Sequence, residues 1–167
     1  MCDSLAGKFL QRFGLFCLLI IGAAAHAELV PFDPDWQEAD VPPPPVFSRD
    51  KLLPLNMPIY VTLQFGIDPA TISVAPDGIV RYVVVASSTS GSVNAFYEGI
   101  RCGTGEVKTY ARASNTGTWT IIKDAQWRGL SDNQPSKHAW VFARQGACEG
   151  RAVAASSAQE IIRAMKK

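Results

Sequence analysis

The chain has 167 residues, of which 16 are basic and 15 are acidic, and its formal net charge at pH 7 is +1. This length suits a single domain built around one hydrophobic core. The balanced charge argues against nucleic acid or an anionic membrane as a partner, because both attract proteins through a basic patch.

Residues 1–27 are predicted to be a signal peptide. Lys8 and Arg12 precede a short apolar run at residues 15–25, and Ala-His-Ala at 25–27 places small residues at the cleavage site before Glu28. The apolar run is too short to cross roughly 30 Å of hydrocarbon. We therefore expect export to the periplasm without a stable membrane anchor after cleavage. Cleavage leaves 14 basic and 14 acidic residues, since two basic and one acidic residue lie in the leader.

Two cysteines, Cys102 and Cys148, follow the predicted leader, and Cys2 and Cys17 lie within it. In an oxidising compartment an even pair is most simply a disulfide. Closing a loop of roughly 45 residues stabilises a fold by about 4 kcal/mol in the chain-entropy model. A redox pair usually has Cys-X-X-Cys spacing, and a catalytic thiol needs a histidine base, for which only His138 remains. The sequence favours the disulfide.

Residues 28–57 form a proline-rich arm with four consecutive prolines at 42–45. Consecutive prolines favour an extended polyproline conformation without backbone donors. Such a segment can bind an aromatic groove of another protein. The interpretation we prefer is an arm that spaces the domain or packs along its surface. Its expected anchors are apolar: Trp36, Phe47, Leu52 and Leu53.

Residues 58–167 are predicted to form one α+β domain with an antiparallel meander of about six strands. Short strands at regular spacing, separated by turn residues, are typical of such a sheet. Pro76 and Gly78 favour a tight turn before a valine-rich run, which predicts a central strand covered on both faces. The expected strands are 59–66, 71–75, 79–87, 93–102, 106–113, 118–127 and 138–148.

The C-terminal segment is predicted to be a helix packed on one face of the sheet. Ser157 and Glu160 have the spacing of a capping box. Ile161, Ile162 and Met165 recur at helical intervals and are expected to face the sheet.

The most conspicuous cluster of charged residues contains Arg81, Glu98 and Arg101, and with Tyr97 these residues are the candidate contacts for a ligand or partner. Strand alternation places Glu98 on one face of its strand, and Tyr97 and Arg101 on the other. Arg81 on a neighbouring strand is positioned to bind a carboxylate or a ligand anion. The simpler interpretation is an ion pair across strands.

The sequence shows no metal site, no cofactor motif and no catalytic residue. A single histidine after the leader excludes multi-histidine metal sites. A Ser-His-Asp triad remains formally open, but nothing resembles a nucleophile elbow, and His138 is expected to be an exposed loop residue. The aromatic residues Tyr82, Tyr110, Trp119, Trp127 and Trp140 are expected in the core or at its rim, and the alternative is a ligand cleft.

Several motifs together resemble a known family. They are WQEADVPPPP, FGIDPATISVAPDGIVRYVVVASSTSG, VNAFYEGIRC and KTYARA, followed by a closing cysteine. From Trp36 to Cys148 the chain resembles the cryptic neisserial protein one-like family of exported proteins, which has no assigned activity. The resemblance implies a periplasmic location, and it implies signature positions at Arg81, Tyr82, Asn94, Tyr97, Glu98, Gly99, Arg101 and Cys102.

The resulting expectation is a non-enzymatic binding or structural module of the cell envelope, whose partner is another envelope protein. The alternative is a small-molecule binder or a carboxylate-based hydrolase that uses Glu98 with Arg81 or Arg101. A third option is a stabiliser of a larger complex, which would contact its partner through the proline-rich arm.

Overall fold

The computed structural model describes residues 33–132 and 136–167. The predicted signal peptide lies outside these residues. Within them, no helix has the length and apolar character needed to cross a bilayer.

The centre of the fold is an antiparallel sheet with the strand order β1-β2-β4-β5-β6-β7, in which β3 also pairs with β4 and β8 with β6. The strands are β1 (Leu53–Pro54), β2 (Gln64–Ile67), β3 (Ser73–Val74), β4 (Ile79–Ser87), β5 (Val93–Arg101), β6 (Glu106–Ala113), β7 (Trp119–Ile121) and β8 (Arg128–Gly129). A 3₁₀ turn (Pro69–Thr71) precedes β3. Strand β4 has nine residues, of which eight are buried, as its valine-rich sequence predicts.

Three predicted strands are longer than the strands of the structure by two residues or more, and the one predicted at 71–75 covers only Ser73–Val74. The first begins at Gln64 instead of Ile59, because a turn closed by a 2.9 Å bond from the Val61 N–H to the Pro58 carbonyl precedes it. Ile59 and Tyr60 in that turn are exposed. The strand expected at 118–127 ends at Ile121, where the chain turns away.

The last predicted strand, at 138–148, is wrong. This segment is an α-helix, α1 (His138–Phe142), that continues as a π-helix (Ala143–Ala147). Buried Phe142 and Ala143 lie three and four residues after buried Ala139, and buried Ala147 lies four residues after Ala143, which suits a helix face. A short hairpin of β9 (Cys148–Glu149) and β10 (Ala152–Val153) follows.

The chain ends in the predicted helix, α2 (Ala158–Met165). Ile161 and Met165 are buried, and Ile162 is half-buried against the same core. The capping pattern differs from the prediction, because the Glu160 carboxylate accepts from the Ser156 N–H at 3.1 Å and the Ser157 side chain caps no helix N–H. The described domain is therefore α+β, as predicted.

The sheet buries residues on both faces, and different parts of the chain cover them. The helical face lies under α1, the π-helix and α2, and its core includes Tyr82, Ile100, Phe142 and Ile161. The arm face has a smaller core that includes Val83, Tyr97 and Tyr110. Phe47 and Leu52 of the proline-rich arm pack against this second core. The arm is thus a layer of the fold.

A β-bulge and a glycine shape the arm face. The register between β5 and β6 shifts at Tyr97 and Glu98, so that Tyr110 is an extra residue and lies on the same face as Ala111. A Cβ at Gly99 would clash with the Tyr110 hydroxyl and lie 2.8 Å from Ile79 Cγ2. Gly99 therefore leaves the space that the Tyr110 side chain occupies.

Candidate functional site

The predicted site residues lie on opposite faces of the sheet. Tyr82 pairs with Glu98 across β4 and β5, and Arg81 pairs with Gly99. Because side chains alternate along a strand, Glu98 points into the helical face and Arg81 into the arm face. The structure therefore does not bring Glu98 together with Arg81. The Arg101 guanidinium lies 3.6 Å from the centroid of a Trp36 ring.

Glu98 is the centre of a buried hydrogen-bond network. Its side chain is 3% exposed. Its Oε2 accepts from the Tyr82 hydroxyl at 2.8 Å and lies 2.9 Å from His138 Nε2. Its Oε1 accepts from the Thr109 hydroxyl at 3.0 Å. These bonds join strands β4, β5 and β6 to the start of α1, so the network connects the sheet to its helical cover.

The prediction that His138 is an exposed loop residue is wrong. The side chain is 7% exposed and belongs to the first turn of α1. Its ring stacks on Phe65, with centroids 5.1 Å apart, and lies 6.0 Å from the ring of Phe96. The helical conformation of this segment turns His138 inward, towards Glu98.

The pair of Glu98 and His138 shifts the pKa of both groups. Burial alone raises the pKa of Glu98, but the charge of His138 and the bonds from His138, Tyr82 and Thr109 outweigh it, so this pKa is lowered. Burial alone lowers the pKa of His138, but the negative charge of Glu98 outweighs it and raises this pKa. Burial and Glu98 together raise the pKa of Tyr82, which stays protonated as a donor.

Ser136 extends this network towards the surface. Its hydroxyl lies 2.7 Å from His138 Nδ1, and His138 Nε2 faces Glu98. The order serine, histidine, carboxylate is that of an acyl-transfer relay, with the two ring nitrogens exchanged. A relay also needs a cleft and an oxyanion site beside the serine. Five surface cavities of the described residues are lined by neither Ser136 nor His138. The bonds that the structure shows join strands β4, β5 and β6 to α1.

Arg81 forms a buried ion pair beneath the arm. Its two terminal nitrogens lie 3.3 and 2.8 Å from the two carboxylate oxygens of Asp77. Both terminal nitrogens thus face one carboxylate, and this partner is Asp77, four residues earlier in the chain, rather than a residue on a neighbouring strand. Burial raises the pKa of Asp77, but the bonds from Arg81 and from backbone N–H groups outweigh it and lower this pKa. The Arg81 Nε has no hydrogen-bond partner among the described residues.

The arm is fastened to this ion pair. The Trp36 indole N–H donates to the Asp77 carbonyl at 2.9 Å, and the Ala39 N–H donates to the Asp77 carboxylate at 3.1 Å. Glu38 lies 2.7 Å from Lys108 Nζ and accepts from the Tyr110 hydroxyl, also at 2.7 Å. These bonds hold residues 36–39 over the arm face.

Further along, the arm is held by aromatic residues. The Trp119 indole N–H donates to the Pro45 carbonyl at 3.0 Å. Phe47 packs on the Trp119 ring, with centroids 5.4 Å apart. The expected anchors Trp36, Phe47, Leu52 and Leu53 all contact the domain. The structure thus shows that the described part of the arm, residues 33–57, docks on its own domain.

Cys102 and Cys148 form the predicted disulfide. The sulfurs are bonded, and the Cα atoms are 5.7 Å apart. The bridge joins the residue after β5 to the first residue of β9, directly after the π-helix. The Glu98–His138 pair ties α1 to β5, and the disulfide ties the chain directly after the π-helix to the chain directly after β5. Neither sulfur is a free thiol.

Sequence reasoning missed Glu38, Asp77, Ser136 and His138 as members of these networks. The i, i+4 relation of Asp77 and Arg81 across a turn was an available signal. The helical spacing of Ala139, Phe142 and Ala143 would have placed His138 in a helix. Nothing in the arm's composition singled out Glu38. Among the described residues, no group of three or more potential metal ligands is close enough to hold a metal ion.

Comparison with known protein families identifies the same family as the sequence motifs. Neither the search of curated proteins nor the search of solved structures found a match. The model of the CNP1-like family matches residues 32–166, which is most of the chain. The protein therefore belongs to the CNP1-like family.

Proposed function

We propose that the protein is an exported periplasmic domain that acts as a non-enzymatic binding or structural module of the cell envelope, with another envelope protein as its partner. The observation that carries this proposal is that the conspicuous polar residues and cysteines of the chain bond to one another within the fold. Glu98 is hydrogen-bonded to buried Tyr82, buried His138 and half-buried Thr109, Arg81 is paired with Asp77, and Cys102 is disulfide-bonded to Cys148.

The alternative, a hydrolase that uses Glu98 with Arg81 or Arg101, needs these groups to converge in a cleft. Glu98 instead lies inside the helical-face core, with its two oxygens occupied. Arg81 is 2% exposed on the other face. This arrangement supports the binding module over the hydrolase.

Export is supported by the N-terminal sequence and by the disulfide, because such bridges persist in oxidising compartments. A leader at 1–27 and a neutral remainder fit a periplasmic protein that stays in solution after cleavage.

The partner is expected to contact a surface other than the arm, since the arm already packs against its own domain. The loop at residues 58–63 is a candidate surface. Ile59 and Tyr60 are adjacent, large and apolar, and Tyr60 is 73% exposed. Adjacent exposed apolar side chains often mark a protein contact.

In-cell crosslinking combined with fractionation tests this proposal. A photoreactive amino acid replaces Tyr60, and the control replaces Arg163, an exposed residue of α2. We expect the protein to be released with the periplasmic fraction and to begin at Glu28. We also expect a discrete adduct with an envelope protein when the photoreactive residue is at position 60, and none when it is at position 163. An intact leader with cytoplasmic retention would contradict export. Absence of an adduct at position 60, or equal adducts at both positions, would contradict the contact surface.

A further inference from the structure

A cleft lies between the proline segment of the arm and the outer strands of the sheet. Its volume is about 470 Å³, within the range of small-molecule sites. Val41 and residues 42–44 line one side, and Ile121 and Ile122 line the other. Docking of the arm builds this cleft, since the sheet alone supplies only one of its walls.

Tyr97 supplies an unused polar group in the floor of the cleft. The side chain is 4% exposed and lines the cavity. Its hydroxyl makes no hydrogen bond to any described residue, whereas the hydroxyls of Tyr82 and Tyr110 each bond to a carboxylate. The hydroxyl oxygen is open to the cleft, because it is not among the sealed side-chain atoms that lack a partner, and a ligand carboxylate can accept its hydrogen bond there. Burial raises the pKa of Tyr97, so the hydroxyl remains a donor at neutral pH.

The charge at the cleft favours an anion. Its lining contains Lys108 and Lys123, and Glu38, which contacts the lining residues Lys108 and Tyr110, offsets one of these two positive charges. Lys108 Nζ bonds to Glu38 at 2.7 Å, and an ammonium group has further protons to donate. Lys123 is exposed at the rim. Proline and tyrosine rings line the rest and suit a flat apolar body.

From this geometry we propose that the cleft binds a small aromatic carboxylate. Its ring lies between residues 42–44 and the isoleucines of the outer strands, its carboxylate faces Lys108 and Lys123, and it accepts a hydrogen bond from Tyr97. This site goes beyond the proposed function, because it needs neither the partner protein nor the periplasmic location.

Calorimetric titration of the purified protein with 2-naphthoate tests the site, with the neutral 2-naphthamide as a matched probe. We expect saturable one-to-one binding of the carboxylate and at least tenfold weaker binding of the amide. Tyr97→Phe is expected to weaken binding about fivefold, the effect of one hydrogen bond. Lys123→Gln is expected to weaken it and to reduce its salt dependence.

Two control variants carry the same chemical changes elsewhere. Tyr60→Phe and Lys51→Gln alter exposed residues that do not line the cleft, and both are expected to leave the affinity unchanged. Non-saturable binding, equal affinity for the amide, or an affinity unchanged by both cleft variants would overturn the proposal. Because Lys123 is at the surface, its variant decides the question even if Tyr97→Phe yields less folded protein.

Discussion

Replacing Glu98 by glutamine tests the buried network most severely. The substitution keeps the size of the side chain but removes the charge that faces His138 at 2.9 Å. It also places an amide N–H₂ against groups that donate to Glu98, so at least one of these partners must change from donor to acceptor. Removing one partner of a buried ion pair typically costs about 3–5 kcal/mol. That is a large part of the roughly 5–15 kcal/mol that stabilises a domain of this size.

The loss of unfolding free energy caused by Glu98→Gln should depend on pH in a defined direction. The folded pKa of His138 is raised, so its contribution is complete below about pH 6.5 and is lost as pH rises through the folded pKa. The folded pKa of Glu98 is lowered, so its contribution is present above about pH 4.5 and is lost as pH falls through the folded pKa. The pair of Glu98 and His138 therefore stabilises the fold most between about pH 4.5 and about pH 6.5.

Urea unfolding of the oxidised protein at about pH 5.5 and about pH 9 measures this effect. We expect Glu98→Gln to lower the free energy of unfolding by several kcal/mol at the lower pH and by less at the higher pH. Glu149→Gln, at an exposed residue of β9, is the control and is expected to have little effect. A loss below about 1 kcal/mol at both pH values would refute the role given to the network.

Three further changes test other parts of the fold. Cys102→Ser should lower the free energy of unfolding by about 4 kcal/mol, and an unchanged melting temperature would contradict a stabilising bridge. Glu38→Ala removes the hydrogen-bond acceptor of Lys108 and Tyr110. It should lower the free energy of unfolding by about 1–3 kcal/mol and speed proteolysis of the arm. Cleavage of the arm at the wild-type rate would contradict its attachment through Glu38. Gly99→Ala should cost about 1–3 kcal/mol through overpacking. Gly103→Ala is its control, because the nearest atom to the new Cβ would be 3.8 Å away, and equal effects would contradict the close packing.

The central sheet could be predicted because local sequence determines it. The valine-rich run of β4 suits a strand buried on both faces, and Gly78 adopts the positive φ of 78° that its turn requires. Strand alternation correctly separated Glu98 from Tyr97. The disulfide followed from the number of cysteines and the expected compartment.

The helical segment at residues 138–147, α1 with the π-helix, could not be predicted as readily. Aromatic and β-branched residues in the segment 138–148 favour a strand by local preference, but tertiary packing of Ala139, Phe142 and Ala143 selects a helix. That choice also decides whether His138 is exposed or buried. Similarly, Glu38 gains its role only when the arm folds back onto β6, about 70 residues further along the chain, as the 2.7 Å bond to Lys108 shows.

The most direct test of the account is an NMR titration of the His138 imidazole, because the central claim is that the conspicuous ionisable residues are bonded to one another inside the fold. The chain has two histidines, and the other, His26, lies in the predicted signal peptide. We predict a pKa above 6.5 for His138 in the wild-type protein and below 6.5 in Glu98→Gln, where burial acts without the opposing charge. The same pKa near 6.5 in both proteins would show an imidazole in contact with solvent and would contradict the account.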